Sequence, residues 1–104
     1  MNRGEVWWVE GPTLGRRPYL LLTRDTAIGL LNAVIAVPAT RTIRGIPTEV
    51  LLGGADGLPD ECALTLDNVA TIPKEYFRER ICRLTGERMR EVCSALMGAT
   101  GCTP

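Results

Sequence analysis

Arg17-Pro18-Tyr19-Leu20-Leu21-Leu22-Thr23 and Ala33-Val34-Ile35-Ala36-Val37-Pro38-Ala39-Thr40 carry the strongest structural signal in this chain. Each holds a continuous apolar run of strand length, flanked by Pro, Gly or Asn, and so reads as a central strand buried on both faces. Proline fixes φ and has no N–H to give a ladder, so Pro18 marks a strand entrance and Pro38 a strand edge or exit. One guanidinium, on Arg17, and one hydroxyl, on Thr40, then stand at strand ends. Loop mouths of that kind are where functional residues concentrate.

Outward from these runs the pattern is mostly β. Glu5 to Glu10 reads as a strand because Val6, Trp7, Trp8 and Val9 are β-branched or aromatic, and Gly11-Pro12-Thr13-Leu14-Gly15 breaks it. Trp7 and Trp8 are neighbours and must point to opposite faces, so one of them is expected to be exposed or at an interface. Thr48 to Leu52 is a fourth strand, stopped by Gly53-Gly54. Cys62 to Ile72 alternates as a fifth strand with one wetter face, and Phe77 to Leu84 follows as a sixth after the turn at Pro73-Lys74-Glu75. Met89, Val92, Cys93, Leu96 and Met97 then take the spacing of a helix with one buried stripe. Thr85 serves as its N-cap, and Gly98 and Gly101 end it. Six short strands with tight turns and one covering helix predict a single domain over residues 1–104, mainly β with α. Its sheet is expected to be a small, strongly twisted, antiparallel barrel.

Composition bounds the function. No stretch approaches the ~20 apolar residues of a membrane span, and Met1-Asn2-Arg3-Gly4-Glu5 lacks the apolar segment of a signal peptide, so no membrane association and a cytoplasmic location are expected. Cys62, Cys82, Cys93 and Cys102 form no Cys-x-x-Cys pair and the chain has no histidine, which predicts reduced thiols and no metal. The formal net charge is 0, but it is segregated: residues 11–50 carry Arg16, Arg17, Arg24, Arg41 and Arg44 against Asp25 and Glu49, while residues 51–75 carry Asp56, Asp60, Glu61, Asp67 and Glu75 against Lys74. Such a balance argues against sequence-blind coating of nucleic acid and leaves a local arginine cluster able to engage a few phosphates. Scattered arginines on a solvated loop surface fit the same composition.

Taken in order, Arg3-Gly4-Glu5-Val6-Trp7, Arg17-Pro18-Tyr19-Leu20-Leu21-Leu22, Val37-Pro38-Ala39-Thr40, Pro47-Thr48-Glu49-Val50 and Leu66-Asp67-Asn68-Val69-Ala70-Thr71-Ile72 resemble the MazF/PemK toxin family, as does Cys82-Arg83-Leu84-Thr85 before an amphipathic helix. The resemblance runs through nearly the whole chain. It implies an SH3-like barrel that dimerises, acts as the toxin of a type II toxin-antitoxin pair, and cuts single-stranded messenger RNA without metal or other cofactor. It also implies a MazE-like antitoxin, partly disordered and acidic, laid across the basic groove. By the family pattern Arg17 and Thr40 are the catalytic pair and Asp67-Asn68 the RNA-contacting step, although the family more often has glutamine where this chain has Asn68. The Gly11 to Arg16 loop is several residues shorter than the usual family loop and lacks its Gly-Ser-Glu-Gln run, so cleavage specificity does not carry over.

The chemistry can be argued from the residues. Metal-free scission needs the 2′-hydroxyl to attack the adjacent phosphorus, giving a 2′,3′-cyclic phosphate and a 5′-hydroxyl while charge gathers on the equatorial oxygens. With no histidine present, Arg17 is cast as a permanently charged clamp on those oxygens and a candidate proton donor, with the Thr40 hydroxyl beside it. Glu49 and Asp67 are the candidate bases, and Arg24, Arg41 and Arg44 the residues that would steer the RNA backbone. By residue type alone, Arg17 also reads as a surface-loop arginine and Thr40 as a turn residue. A non-enzymatic toxin resembling the CcdB group, or an interaction module on the same fold, stays open, although the CcdB group acts through a tryptophan-bearing helix end and Gly98 to Pro104 has no aromatic.

Overall fold

Strand β1 (Glu5–Gly11) and strand β2 (Gly15–Leu21) form an antiparallel hairpin across Pro12-Thr13-Leu14, with Val6 opposite Leu20 and Gly11 opposite Gly15. The structure, a computed structural model, describes residues 1–102; Thr103 and Pro104 of the expected 1–104 domain lie outside the described residues. After the hairpin come a single helical turn α1 (Asp25–Ile28), then β3 (Ala33–Thr40), β4 (Glu49–Leu52), β5 (Cys62–Thr65), β6 (Ala70–Pro73), β7 (Phe77–Arg83) and the helix α2 (Gly86–Thr100). The sheet order is β4-β5-β3-β2-β1-β7, with β6 also paired to β3, and every ladder is antiparallel.

Both apolar runs are central strands. On β2, Leu20 enters one core cluster while Tyr19 and Leu21 enter the other, which is why that run is apolar without alternation. The first cluster joins Val6, Leu20, Val37 and Leu64 to Val92 and Ala95 of α2; the second joins Val9, Tyr19, Leu21, Val34 and Ile72 to Ile28 of α1 and Phe77. The sheet is thus covered on both faces. Among the described residues no ladder joins β4 to β7, so the curved sheet is not a closed barrel. Helix α2 covers the opening instead, its Val92 and Ala95 packed in one cluster with Val50 and Leu52 of β4 and Leu84 just beyond β7.

Four local expectations change. The fifth strand is two, β5 and β6, separated by a 3-10 turn at Leu66–Asn68; the turn shifts the register, so that β5 pairs with Ala39 and Thr40 while β6 pairs with Ala33 to Ala36 along the same edge of β3. The turn α1 has too few residues to show a period in the sequence. Gly98 lies inside α2, which ends at Gly101, where φ is 71° and the N–H bonds Met97 O. The buried stripe of α2 centres on Val92 and Ala95, leaving Met97 exposed. Thr85 is the N-cap, accepting from the Arg88 N–H at 3.2 Å. All four cysteines are free thiols.

Candidate active site

The β2–β3 ladder explains how the site opens. Leu22 N donates to Ile35 O at 2.9 Å, and Leu20 stands opposite Val37. Hydrogen-bonded pairs recur every second residue in an antiparallel ladder, so the next pair outward is Pro18 with Ala39. Pro18 has no N–H, and the pairing stops at Tyr19 and Pro38. Beyond that point the same register would set Arg17 across from Thr40. Pro38 lies on β3 where its other edge passes from β6 to β5, and its carbonyl accepts the Thr65 hydroxyl at 3.3 Å.

Where the two strands part lies a cleft of ≈ 320 Å³, lined by Arg16, Arg17, Thr40, Arg41, Trp8 and Asp60 among others. That is at the small end of ligand-sized pockets. Arg17 is exposed and has no carboxylate within ion-pair distance among the described residues, so its fork is free for an anion. Thr40 Oγ1 accepts from the Thr42 N–H at 3.1 Å, which leaves the hydroxyl proton to donate into the cleft. Arg16 stacks over the Trp8 ring at 4.6 Å and reaches Glu10 at 4.0 Å. Arg41 pairs with Asp60 at 3.4 Å on the rim. Cys62, also in the lining, is buried, and that burial together with Asp56, Cys82 and Asp60 pushes its thiol pKa up.

The far wall is a loop held from behind. A 3-10 turn at Gly54–Asp56 is anchored to α2 by Arg88, whose Nε meets Asp56 Oδ1 at 2.9 Å. Gly57 then takes φ 98°, and a Cβ there would stand 2.8 Å from Cys82 Cβ, so only glycine lets the chain turn at this point to deliver Leu58, Pro59 and Asp60 to the cleft.

The remaining sequence candidates lie elsewhere. Arg24 is the N-cap of α1, past the opposite end of β2 from Arg17, and so is not brought to the cleft. Glu49 Oε1 accepts from the N–H groups of Arg44 and Gly45 at 3.0 and 2.9 Å, closing the base of the 41–48 loop. Asp67 accepts from the Thr48 hydroxyl, and Asn68 Nδ2 reaches Thr65 Oγ1 at 3.5 Å, at the end of β5 away from Cys62. Neither candidate base lines the cleft. The tryptophans divide as alternation requires: Trp7 packs edge-on to Phe77 with centroids 6.3 Å apart, and Trp8 faces the cleft. Arg16 and Asp60 join the sequence candidates in the cleft lining. Arg16 was legible as the neighbour of Arg17, whereas Asp60 depends on how the 53–61 loop folds back, which no local pattern encodes.

Comparison with known proteins accounts for this arrangement. The family described as PemK-like, MazF-like toxin of type II toxin-antitoxin system matches residues 2–99. The chain is 42% identical over 103 residues to the probable endoribonuclease MazF2 of Mycobacterium tuberculosis, covering 98% of this chain and 100% of that one. It is 43% identical over 102 residues to the probable endoribonuclease MazF5 of the same species, covering 97% and 94%. Among solved structures, a mycobacterial endoribonuclease in complex with its cognate antitoxin superposes with a TM-score of 0.90 at 28% identity, covering 100% of this chain and 98% of that one. The Mycobacterium tuberculosis toxin MazF-mt6 does so with a TM-score of 0.88 at 27% identity, covering 96% and 99%. No helix among the described residues is long and apolar enough to cross a membrane. The ladder that ends at Pro18, the cleft between Arg17 and Thr40, and a match over nearly the full length lead to one conclusion: the chain belongs to the PemK-like, MazF-like toxin family of type II toxin-antitoxin systems.

Proposed function

We propose that this protein is the toxin of a type II pair, a cytoplasmic endoribonuclease that cleaves single-stranded messenger RNA by metal-independent transesterification. The observation that carries it is the pairing, in one cleft, of an arginine with no carboxylate partner among the described residues and a threonine whose hydroxyl proton is unspent. The scissile phosphate sits between them. Arg17 grips two of its oxygens through the guanidinium fork, and Thr40 donates to one of them. Both interactions strengthen as charge builds on the phosphorane, which is the differential binding that speeds a reaction. Trp8 offers a stacking surface for an unpaired base, and Arg16 and Arg41 rim contacts for the neighbouring phosphates. Duplex RNA would hide its base edges from them.

The working unit is a homodimer, and a MazE-like antitoxin with an acidic, partly disordered segment blocks the cleft by occupying Arg17 and Arg41. Incubation with a long single-stranded RNA transcript of mixed sequence in excess EDTA, followed by end mapping, tests the activity. The expected products end in a 2′,3′-cyclic phosphate and a 5′-hydroxyl, and Arg17→Ala lowers the rate on the order of 100-fold or more. Intact RNA with the wild-type protein, or undiminished cleavage by Arg17→Ala, overturns the reading. A monomer by light scattering at micromolar concentration overturns the dimer.

A further inference from the structure

Transesterification needs an acceptor for the 2′-hydroxyl proton, and the carboxylates of this chain are mostly committed. Glu49 and Asp67 lie outside the cleft and bind the 44–49 loop and Thr48. Asp56 is held by Arg88 and the Gly53 N–H. Glu10 lies toward Arg16, and Glu61 packs by Gly53. Asp60 is the carboxylate that lines the cleft together with Arg17 and Thr40. Its partner there is Arg41, at 3.4 Å, with side-chain exposures of 58% for Asp60 and 82% for Arg41. An ion pair so exposed is weak and is readily exchanged.

Resting on the ribonuclease reading above, we infer that Asp60 is the general base and a catalytic residue, kept on Arg41 until RNA arrives. A phosphate of the incoming strand takes the Arg41 guanidinium, a better partner for its fork than one exposed carboxylate. Asp60 is thereby released beside the ribose of the scissile step. Its Oδ accepts the proton of the 2′-hydroxyl as the 2′-oxygen bonds to phosphorus; the P–O5′ bond breaks, and the 5′-oxygen takes a proton from water. The hydroxide so formed takes up the proton held by Asp60, which restores the carboxylate and leaves the proton count unchanged. Asp60 can approach only because Gly57 turns the loop and Arg88 holds the preceding turn against α2.

Two roles for Asp60 predict opposite signs. As a base, its replacement in Asp60→Asn lowers kcat by 100-fold or more in single-turnover cleavage of the same transcript, with KM unchanged, and abolishes the acid-side fall in kcat that a carboxylate base imposes. Asp60→Glu, which keeps the carboxylate on a longer arm, restores part of the rate. As a mere neutraliser of Arg41, the same Asp60→Asn change frees a cation and leaves kcat equal or higher with a lower KM. That outcome overturns the inference, as does a change confined to KM or an acid limb that persists in Asp60→Asn. If wild type itself leaves RNA intact, the ribonuclease reading has failed and not this assignment alone; cleavage by wild type with undiminished Asp60→Asn refutes Asp60 and spares the function. Asp60 is an exposed loop residue, so its variants fold, and thermal unfolding of each variant checks this.

Discussion

Glu5 is a buried acid in the first strand, and its partners decide how the fold responds to pH. Burial pushes its pKa up. The Asn2 N–H at 2.8 Å, the Trp7 Nε1–H at 3.1 Å, the charged N-terminus and Arg80 at 3.3 Å together outweigh that cost and hold it below the ordinary 4.5. A carboxyl whose folded pKa lies below its unfolded one supplies stability that is complete above pH 4.5 and fades as pH falls through the lowered folded value. Glu5→Gln is therefore expected to cost about 1.5 kcal/mol near pH 7, the worth of a charge-assisted hydrogen bond, or roughly 6–12 °C in Tm for a domain of this size. The gap between variant and wild type should close as pH falls through that lowered value, and a gap independent of pH would refute the assignment. Cys62 supplies a second check, because burial and the nearby Asp56 raise its thiol pKa. At neutral pH iodoacetamide should label the exposed Cys102 first and Cys62 last, with Cys62 catching up only as the medium becomes strongly alkaline; peptide mass spectrometry reads the order.

Elements show where local pattern speaks and where it is silent. Gly98 reads as a helix stop, yet it sits inside α2 with nothing within 4 Å of where a Cβ would be. Gly98→Ala should then stabilise by roughly 0.5–1 kcal/mol, a rise of a few degrees in Tm, since alanine loses less backbone entropy on entering a helix. A fall would mean that α2 ends earlier. The helix itself was legible because its apolar spacing, N-cap Thr85 and αL-compatible Gly101 all agree. Strands β2 and β3 were legible for a different reason: burial on both faces writes a continuous apolar run, and each proline marks a place where a ladder changes. The break at Leu66–Asn68 was not, because strand alternation continues across it while the register shifts against β3, and only the partner strand records that shift. Arg17 and Thr40 come together in one cleft because both stand where the prolines end pairing. Arg24 is close to Arg17 along the chain but not in space, because β2 runs between them and carries Arg24 past its far end to the N-cap of α1. The place of Asp60 in the cleft is not legible locally, because it depends on a glycine turn and an Arg88 contact from a helix nearly thirty residues further on.

At the scale of the whole molecule a formal net charge of 0 means that no long-range field draws RNA in, so affinity depends on the few cations that the fold gathers. Arg16, Arg17 and Arg41 line the cleft, whereas Arg24 lies beyond the far end of β2 and Arg44 is tied through its backbone to Glu49 at the base of the 41–48 loop. Each phosphate neutralised on a single strand releases condensed counterions, and log K falls with log salt by about 0.7 per contact. Three contacts give a slope near −2; recruiting Arg24 and Arg44 as well would give about −3.5. Titration of a short single-stranded RNA made uncleavable by 2′-deoxy substitution, between 50 and 200 mM salt, distinguishes the two. The shallower slope is expected, with Arg24→Ala leaving both affinity and slope where they were, and Arg41→Ala reducing the slope by about 0.7. A slope near −3.5 that drops with Arg24→Ala would mean the strand wraps from the cleft around to α1, and the substrate path would then follow the surface of the whole domain instead of the gap that Pro18 opens between β2 and β3.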